Sequence, residues 1–166
     1  MIRAEIIKRS PLRILEQSTH GGVGKGNIGV IAAGKGVGKT ASLVHIAIDQ
    51  LLQGNHVIHV SFADSPDHIM AWYEDIFDEI ARQYTLDSAM SIHDEIEKSR
   101  IIMNFKQDTI HIERIEHAIE SLTGNSDFNA DTVIVDGYDF ARAGTGEIRQ
   151  LRACAKRLGF QIWFST

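Results

Sequence analysis

The chain of 166 residues has one cysteine, two prolines and no long uninterrupted apolar run. A single thiol, Cys154, excludes an intramolecular disulfide and a cysteine-cluster metal site. Its surroundings, RACAKR, predict a small packed residue of a helix rather than a nucleophile. No apolar stretch approaches the roughly 20 residues of a membrane-spanning helix. Residues 1–11 carry charges throughout and lack the apolar centre of a secretion signal, so we expect a cytoplasmic protein with no membrane partner.

The chain also has fewer basic residues than acidic ones. The chain has 17 Lys and Arg against 22 Asp and Glu, a net charge of −5. Proteins that bind nucleic acid mainly through its phosphates are usually basic, so nucleic acid is not favoured as a partner unless a local basic patch binds it. The 43% hydrophobic and 23% charged residues are ordinary for a globular protein. The length predicts about one domain with its own core.

Short apolar runs alternate with amphipathic segments along most of the chain. The runs predict strands at 28–33, 56–62, 131–136 and 161–165, and a fifth at 100–105 that periodicity alone does not decide. Helical patterns cover 40–53, 65–80, 86–99, 108–122 and 146–158. Residues 1–27 are loosely patterned and end in a glycine-rich stretch typical of a loop. This alternation predicts an α/β protein, a three-layer α/β/α arrangement with a mostly parallel sheet.

A glycine-rich segment, AGKGVGKT at 33–40, joins the first predicted strand to the first amphipathic helix. It fits the phosphate-loop pattern with Ala33 in place of the first glycine. Glycines let consecutive backbone N–H groups surround an anion, and the following helix adds its N-terminal dipole. We expect Lys39 to reach the β- and γ-phosphates and the Thr40 hydroxyl to bind Mg²⁺. The predicted nucleotide-binding residues are Ala33, Gly34, Lys35, Gly36, Val37, Gly38, Lys39, Thr40 and Ala41.

A phosphate loop needs a carboxylate near the bound magnesium ion, and Asp136 is the candidate. It follows Thr132–Val135, a run suited to a central strand, which places it at the carboxyl edge of the sheet. Asp139 is the alternative. Hydrolysis also needs a group that orients or deprotonates water. Asp64, just after the second strand, is the catalytic candidate beside Lys39, with an ordinary turn residue as the equal alternative.

The phosphate loop and the strands and helices around it, taken in chain order, resemble the core of RecA-like P-loop ATPases. The similar branch of that family contains KaiC-like and RadA-like ATPases and DnaB-like helicases. Beside the phosphate loop, the resemblance rests on residues 10–12 with 21–31, on 57–69 and on 147–165. It divides the chain into an N-terminal segment, 1–27, and a nucleotide-binding core, 28–166. It also implies that the last strand lies between the phosphate-loop strand and the Asp136 strand, with Ser165 or Thr166 as a polar sensor near the γ-phosphate.

The chain departs from that family at two places. Relatives commonly end the second strand in one or two glutamates that activate water, whereas this chain has Ala63 and Asp64. Relatives also continue beyond the last strand, so this chain is either a truncated or a minimal core. The family's DNA-binding loops are therefore not carried over.

Three functions follow as hypotheses. The first is an ATP-binding, Mg²⁺-dependent protein that hydrolyses ATP slowly in a homo-oligomer, where a neighbour supplies an arginine. The second is a non-hydrolysing switch or scaffold with an unidentified protein partner, and the third is a DNA-associated motor. Arg142 and the basic helix at 146–158 are candidate sources of that arginine, although a solvated face is the simpler interpretation. The spacing of the histidines predicts no transition-metal site, and no guanine-reading motif is present, which favours ATP over GTP.

Overall fold

The computed structural model describes residues 2–34, 36–62, 65–84, 88–106, 112–125 and 127–166. Its helices are α1 (Ile2–Arg9), α2 (Leu12–Ser18), α3 (Lys39–Leu52), α4 (Pro66–Gln83), α5 (Ala89–Lys98), α6 (Ile112–Asn125) and α7 (Thr145–Leu158). Its strands are β1 (Ile28–Ile31), β2 (Val57–Ser61), β3 (Arg100–Asn104), β4 (Thr132–Asp136) and β5 (Gln161–Ser165).

The strands form one 5-stranded sheet in the order β1-β5-β4-β2-β3, and every pairing is parallel. The α/β class and the parallel sheet are therefore confirmed. Residues of β2 and β4 are buried along their whole length. Burial of successive residues is expected for parallel strands that are covered on both faces. The last strand, β5, lies between β1 and β4, as the resemblance implied.

Helices cover both faces of the sheet and make three layers. One core lies between the sheet and α1, α3, α4 and α5, and includes Ile134 and Trp163 from the strands. The other lies between the sheet and α6 and α7, and includes Val133 and Phe164. Alternate strand residues enter opposite cores because successive side chains point to opposite faces.

The N-terminal segment, whose loose patterning predicts no element, contains two helices, at 2–9 and 12–18, before the glycine-rich turn. Both helices depend on tertiary contacts with α3. Ile6 is 4% exposed within the first core, and Arg3 Nε donates to the carbonyl oxygen of Leu52 at 2.6 Å. Arg13 forms an ion pair with the buried Asp49. Helices this short are marginal alone, so the local sequence carries a weak signal.

Local signals placed the other boundaries well. Ser65 accepts a hydrogen bond from the backbone N–H of His68, and Pro66 follows at the first helical position, so α4 begins with a side-chain cap. Gly159 ends α7 in the left-handed conformation. The segment 100–105, which periodicity left open, forms β3 and pairs with β2.

The prediction that Cys154 is a small packed residue is confirmed, and the apolar stripe of α4 is packed as well. The apolar stripe of α4 lies in the core, with Ile69, Tyr73, Ile76 and Phe77 buried. Cys154 is buried at 1% exposure, and its burial raises the pKa of the thiol. No helix among the described residues is both long and apolar enough to cross a membrane.

Candidate functional site

The predicted phosphate loop lies at the carboxyl end of β1 and leads into α3, which begins at Lys39. Gly36 and Gly38 have φ angles of 78° and 84°, in the left-handed region that favours glycine. Gly38 caps α3 without a side-chain hydrogen bond. The first turn of any helix leaves backbone N–H groups without intrahelical partners. The loop and helix thus present the kind of terminus that binds anions.

Asp136 stands beside this helix terminus at the end of β4. The hydroxyl of Thr40 donates to Asp136 Oδ2 at 2.8 Å. The hydroxyl of Ser165, at the end of β5, donates to Asp136 Oδ1 at 2.7 Å. The backbone N–H of Gly137 donates to the Ser165 oxygen at 3.1 Å. Both oxygens of a carboxylate that is only 3% exposed are therefore held by hydroxyl groups.

Two further polar residues lie at the same edge of the sheet, at the ends of β2 and β3. Ser61 lies opposite Asp136 on one side and opposite Asn104 on the other. The Asn104 amide donates to the Ser61 carbonyl oxygen at 3.3 Å. Sequence reasoning missed both residues. The available signal was that each is a polar residue at the end of a short strand rich in apolar residues, but the strand order was needed to place them at the same edge as Asp136.

Lys39 extends from the start of α3 towards the end of β5, where its amine donates to the backbone carbonyl oxygen of Thr166. The structure thus brings Lys39, Thr40, Asp136 and Ser165 to one edge of the sheet. Two of the predicted positions, Lys35 of the loop and Asp64, lie outside the described residues, as does Ala63. The other loop positions, 33, 34 and 36–38, are exposed, whereas Ala41 is half-buried.

Asp139, the alternative to Asp136, occupies a different environment. Its Oδ1 accepts a hydrogen bond of 3.0 Å from the backbone N–H of Ala141. Its Oδ2 lies 3.3 Å from Arg142 Nε in an ion pair. Asp139 therefore shapes the turn after β4, and Asp136 is the carboxylate that contacts Thr40.

A buried histidine lies on β2, the strand that pairs with β4 and its terminal Asp136. His59 is 0% exposed in β2, and its Nδ1 lies 2.8 Å from the Tyr73 hydroxyl. Its Nε2 has no hydrogen-bond partner among the described residues. Burial lowers the pKa of His59 to about 4, against the opposing effect of Asp136. Burial raises the pKa of Tyr73, whose ring lies 4.5 Å from the Arg100 guanidinium.

The basic residues of α7 are exposed. Arg149, Arg152 and Lys156 face outward, whereas Arg157 pairs with Glu116 and Glu120 of α6. Arg142, in the turn after β4, is 74% exposed. These positions fit the interpretation of a solvated helix face. Among the described contacts, none joins these basic side chains to Thr40 or Asp136.

A cavity of about 250 Å³ lies at the other edge of the sheet, under α2 and the glycine-rich turn. Its lining includes Asn55, Asp131 and Gln161, which stand at the amino ends of β2, β4 and β5. It is thus separated from the Thr40–Asp136 pair by the length of the strands, and it is not part of the candidate site.

No protein-family model matches the chain, and no curated protein is significantly similar to it.

The side chains present fit a nucleotide with a magnesium ion. Mg²⁺ prefers oxygen ligands and binds proteins through one or two side chains together with phosphate oxygens. The Thr40 hydroxyl and the Asp136 carboxylate supply such oxygens 2.8 Å apart, next to the helix terminus. A hydroxyl and a carboxylate in contact at the mouth of a glycine loop form a suitable donor set for this ion.

Proposed function

We propose that the protein binds ATP with Mg²⁺ in a RecA-like manner and hydrolyses it slowly. The observation that carries the proposal is the hydrogen bond of 2.8 Å between Thr40 and Asp136 at the first turn of α3. It joins a residue of the phosphate-loop motif to the acidic end of a central strand. The positive φ angles at Gly36 and Gly38 give the loop the shape that close approach of an anion requires.

Each residue has a distinct task in this proposal. The backbone N–H groups of 34–41 bind the phosphates, and the Lys39 amine leaves the Thr166 carbonyl to contact the β- and γ-phosphates. Thr40 and Asp136 hold the magnesium ion, whose charge neutralises the phosphate oxygens when bound. Ser165 orients the Asp136 carboxylate through its 2.7 Å hydrogen bond.

The slow rate follows from the residues at the end of β2. Ala63 cannot act on water, and Asp64 is one carbon shorter than the glutamate of similar ATPases. Asp64 is therefore proposed as a weak general base. An arginine from a second copy would add positive charge at the γ-phosphate, an effect that speeds phosphoryl transfer strongly. We accordingly propose a cytoplasmic homo-oligomer whose activity rises with protein concentration.

A non-hydrolysing ATP-dependent switch is the second candidate, and Ala63 favours it. It uses the same loop, Lys39, Thr40 and Asp136, and differs only in the absence of turnover. The DNA-associated motor has less support, because the net charge is −5. Steep salt dependence of DNA binding would be needed to favour it.

Phosphate release from Mg·ATP, measured over a range of protein concentrations, tests the proposal. We expect slow turnover that rises per subunit with concentration and disappears in Lys39→Ala. ATP binding is measured in parallel. Binding without turnover would replace the ATPase by the switch, and the absence of Mg²⁺-dependent ATP binding would overturn both.

A further inference from the structure

Helices α4 and α5 bring three metal-ligating side chains together on the surface. His93 and Glu97 are four residues apart on α5, so they lie on one face of that helix. Glu74, on α4, faces them across the groove between the helices. Both carboxylate oxygens of Glu74 lie 2.8 Å from His93 Nε2. One ligand atom from each of the three residues lies within 4.8 Å of the other two.

The imidazole ring of His93 packs against a neighbouring aromatic ring. The ring of the buried Phe77 packs against His93 with centroids 5.5 Å apart and planes at 63°. On its other side, His93 Nδ1 lies 4.0 Å from the carboxylate of Asp94. Metal-binding histidines commonly direct the second ring nitrogen to a carboxylate, which fixes the tautomer and strengthens the ligand. Here the separation of 4.0 Å between Nδ1 and Asp94 is too long for a hydrogen bond, so Asp94 contributes nearby negative charge only.

Among the described residues, the positive group placed against these carboxylates is the imidazole of His93 itself, which pairs with Glu74. Within the described chain, neither Glu74 nor Glu97 forms an ion pair with lysine or arginine. The hydrogen bond to Glu74, with further effects of Glu97 and Asp94, raises the pKa of His93. The carboxylates thus favour positive charge at this position, and a metal ion bound there has to displace the proton of His93.

A second cluster of similar composition shows the contrast. Glu116, Glu120 and Cys154 also lie within 4.8 Å of one another. There, however, the Arg157 guanidinium pairs with both glutamates and lies 3.8 Å from the thiol sulfur. A guanidinium already occupies that position, whereas no lysine or arginine pairs with Glu74 or Glu97 among the described side chains.

We propose that Glu74, His93 and Glu97 bind a divalent transition-metal ion that joins α4 to α5. One imidazole and two carboxylates suit Zn²⁺ and related ions rather than Mg²⁺, which prefers oxygen ligands alone. Zinc takes nitrogen and oxygen ligands at about 2.0–2.2 Å, so small rotations of these partly exposed side chains bring all three within range. Three protein ligands leave at least one coordination position open. The site is independent of the proposed nucleotide site.

The test uses the full chain without an affinity tag and Zn²⁺ alone as the probe. Titration calorimetry at pH 7.5, without nucleotide, measures the stoichiometry and affinity. We expect one strong site per chain that is weakened about tenfold or more in His93→Ala and in Glu97→Gln. His117→Ala removes an exposed histidine of α6 and is the matched control, with unchanged affinity. Circular dichroism verifies that each variant is folded.

Asp136→Asn separates this site from the nucleotide site. Retained Zn²⁺ binding in Asp136→Asn, together with the losses in His93→Ala and Glu97→Gln, supports the proposal. Absence of saturable binding to the unmodified chain would overturn it. Equal affinities of the unmodified chain and folded His93→Ala would also overturn it, as would binding that is lost only in Asp136→Asn.

Discussion

The hydroxyl of Thr40 donates a hydrogen bond of 2.8 Å to the carboxylate of Asp136, although 96 positions separate the two residues in the chain. Thr40 lies at the first turn of α3 and Asp136 at the end of the central strand β4. The parallel sheet makes this contact because the carboxyl ends of its strands share one edge with the start of the helix that follows β1.

Loss of either partner should weaken Mg²⁺-dependent ATP binding. We expect Thr40→Ala and Asp136→Asn each to reduce the affinity by about tenfold or more, since each removes an oxygen ligand or its charge. Thr40→Ser keeps the hydroxyl and should stay close to the unmodified protein. Fluorescent ATP titrations with Mg²⁺ and with a chelator measure the effect. Asp139→Asn, in the turn, is the control. Equal effects of Asp139→Asn and Asp136→Asn would contradict the assignment.

Removal of the Ser165 hydroxyl should destabilise the folded protein. Ser165 is 2% exposed, and it links Asp136 to the backbone N–H of Gly137. Ser165→Ala leaves a buried carboxylate oxygen and a backbone N–H without that partner, so we expect a loss of about 1–3 kcal/mol. Urea unfolding measures it. Ser91→Ala, at an exposed position of α5, should be near neutral, and a similar loss there would remove the special role of Ser165.

His59 should make the stability depend on pH below neutrality. Its pKa is lowered from 6.5 to about 4 in the folded chain, so unfolding binds a proton between these values. The neutral imidazole is favoured by folding above pH 6.5, and this contribution is lost as the pH falls from 6.5 towards 4. From pH 7.5 to 5, the unmodified chain should lose about 2 kcal/mol relative to His59→Phe.

Urea unfolding at pH 7.5, 6 and 5 measures that difference. His45→Gln changes an exposed histidine of α3 and should follow the unmodified chain. Other titrating groups act equally in both proteins, so the comparison isolates His59. Parallel pH curves of the unmodified chain and His59→Phe would show that the histidine is not buried in its neutral form.

Gly29 should tolerate no side chain. A Cβ at this position of β1 would lie 2.6 Å from two ring atoms of Trp163, on the neighbouring strand. The ring is 8% exposed and packed in the first core, so it has little room to move. We expect Gly29→Ala to cost about 1–3 kcal/mol.

Gly124→Ala is the matched control for Gly29→Ala. A Cβ there meets nothing within 4 Å, and the residue is helical. Alanine should therefore stabilise α6 by up to about 1 kcal/mol. Thermal unfolding measures the stability of both variants. Equal stabilities would contradict the packing of Trp163 on Gly29.

Most of the secondary structure was predictable because its causes are local. Ser65 with Pro66 marks the start of α4, and Gly159 marks the end of α7. The β-branched run 132–135 predicts a buried strand whether or not the neighbouring strands are known. The phosphate-loop motif is local as well, since its glycines, Lys39 and Thr40 are consecutive. The helices α1 and α2 were not predicted, because both are short and their residues Ile6, Arg3 and Arg13 are held by contacts with α3.

Sequence by itself thus determined the α/β class, the positions of the core strands and the candidates Lys39, Thr40 and Asp136. Tertiary structure alone decided which distant side chains meet. The strand order placed Ser165 in contact with Asp136, and His59 on the strand that pairs with β4. Helix packing brought Glu74 to His93, which is 19 residues away in the chain. The physical reason is that periodicity and capping depend on neighbours in the chain. Contacts between strands and helices depend on how whole elements bury their apolar faces against one another.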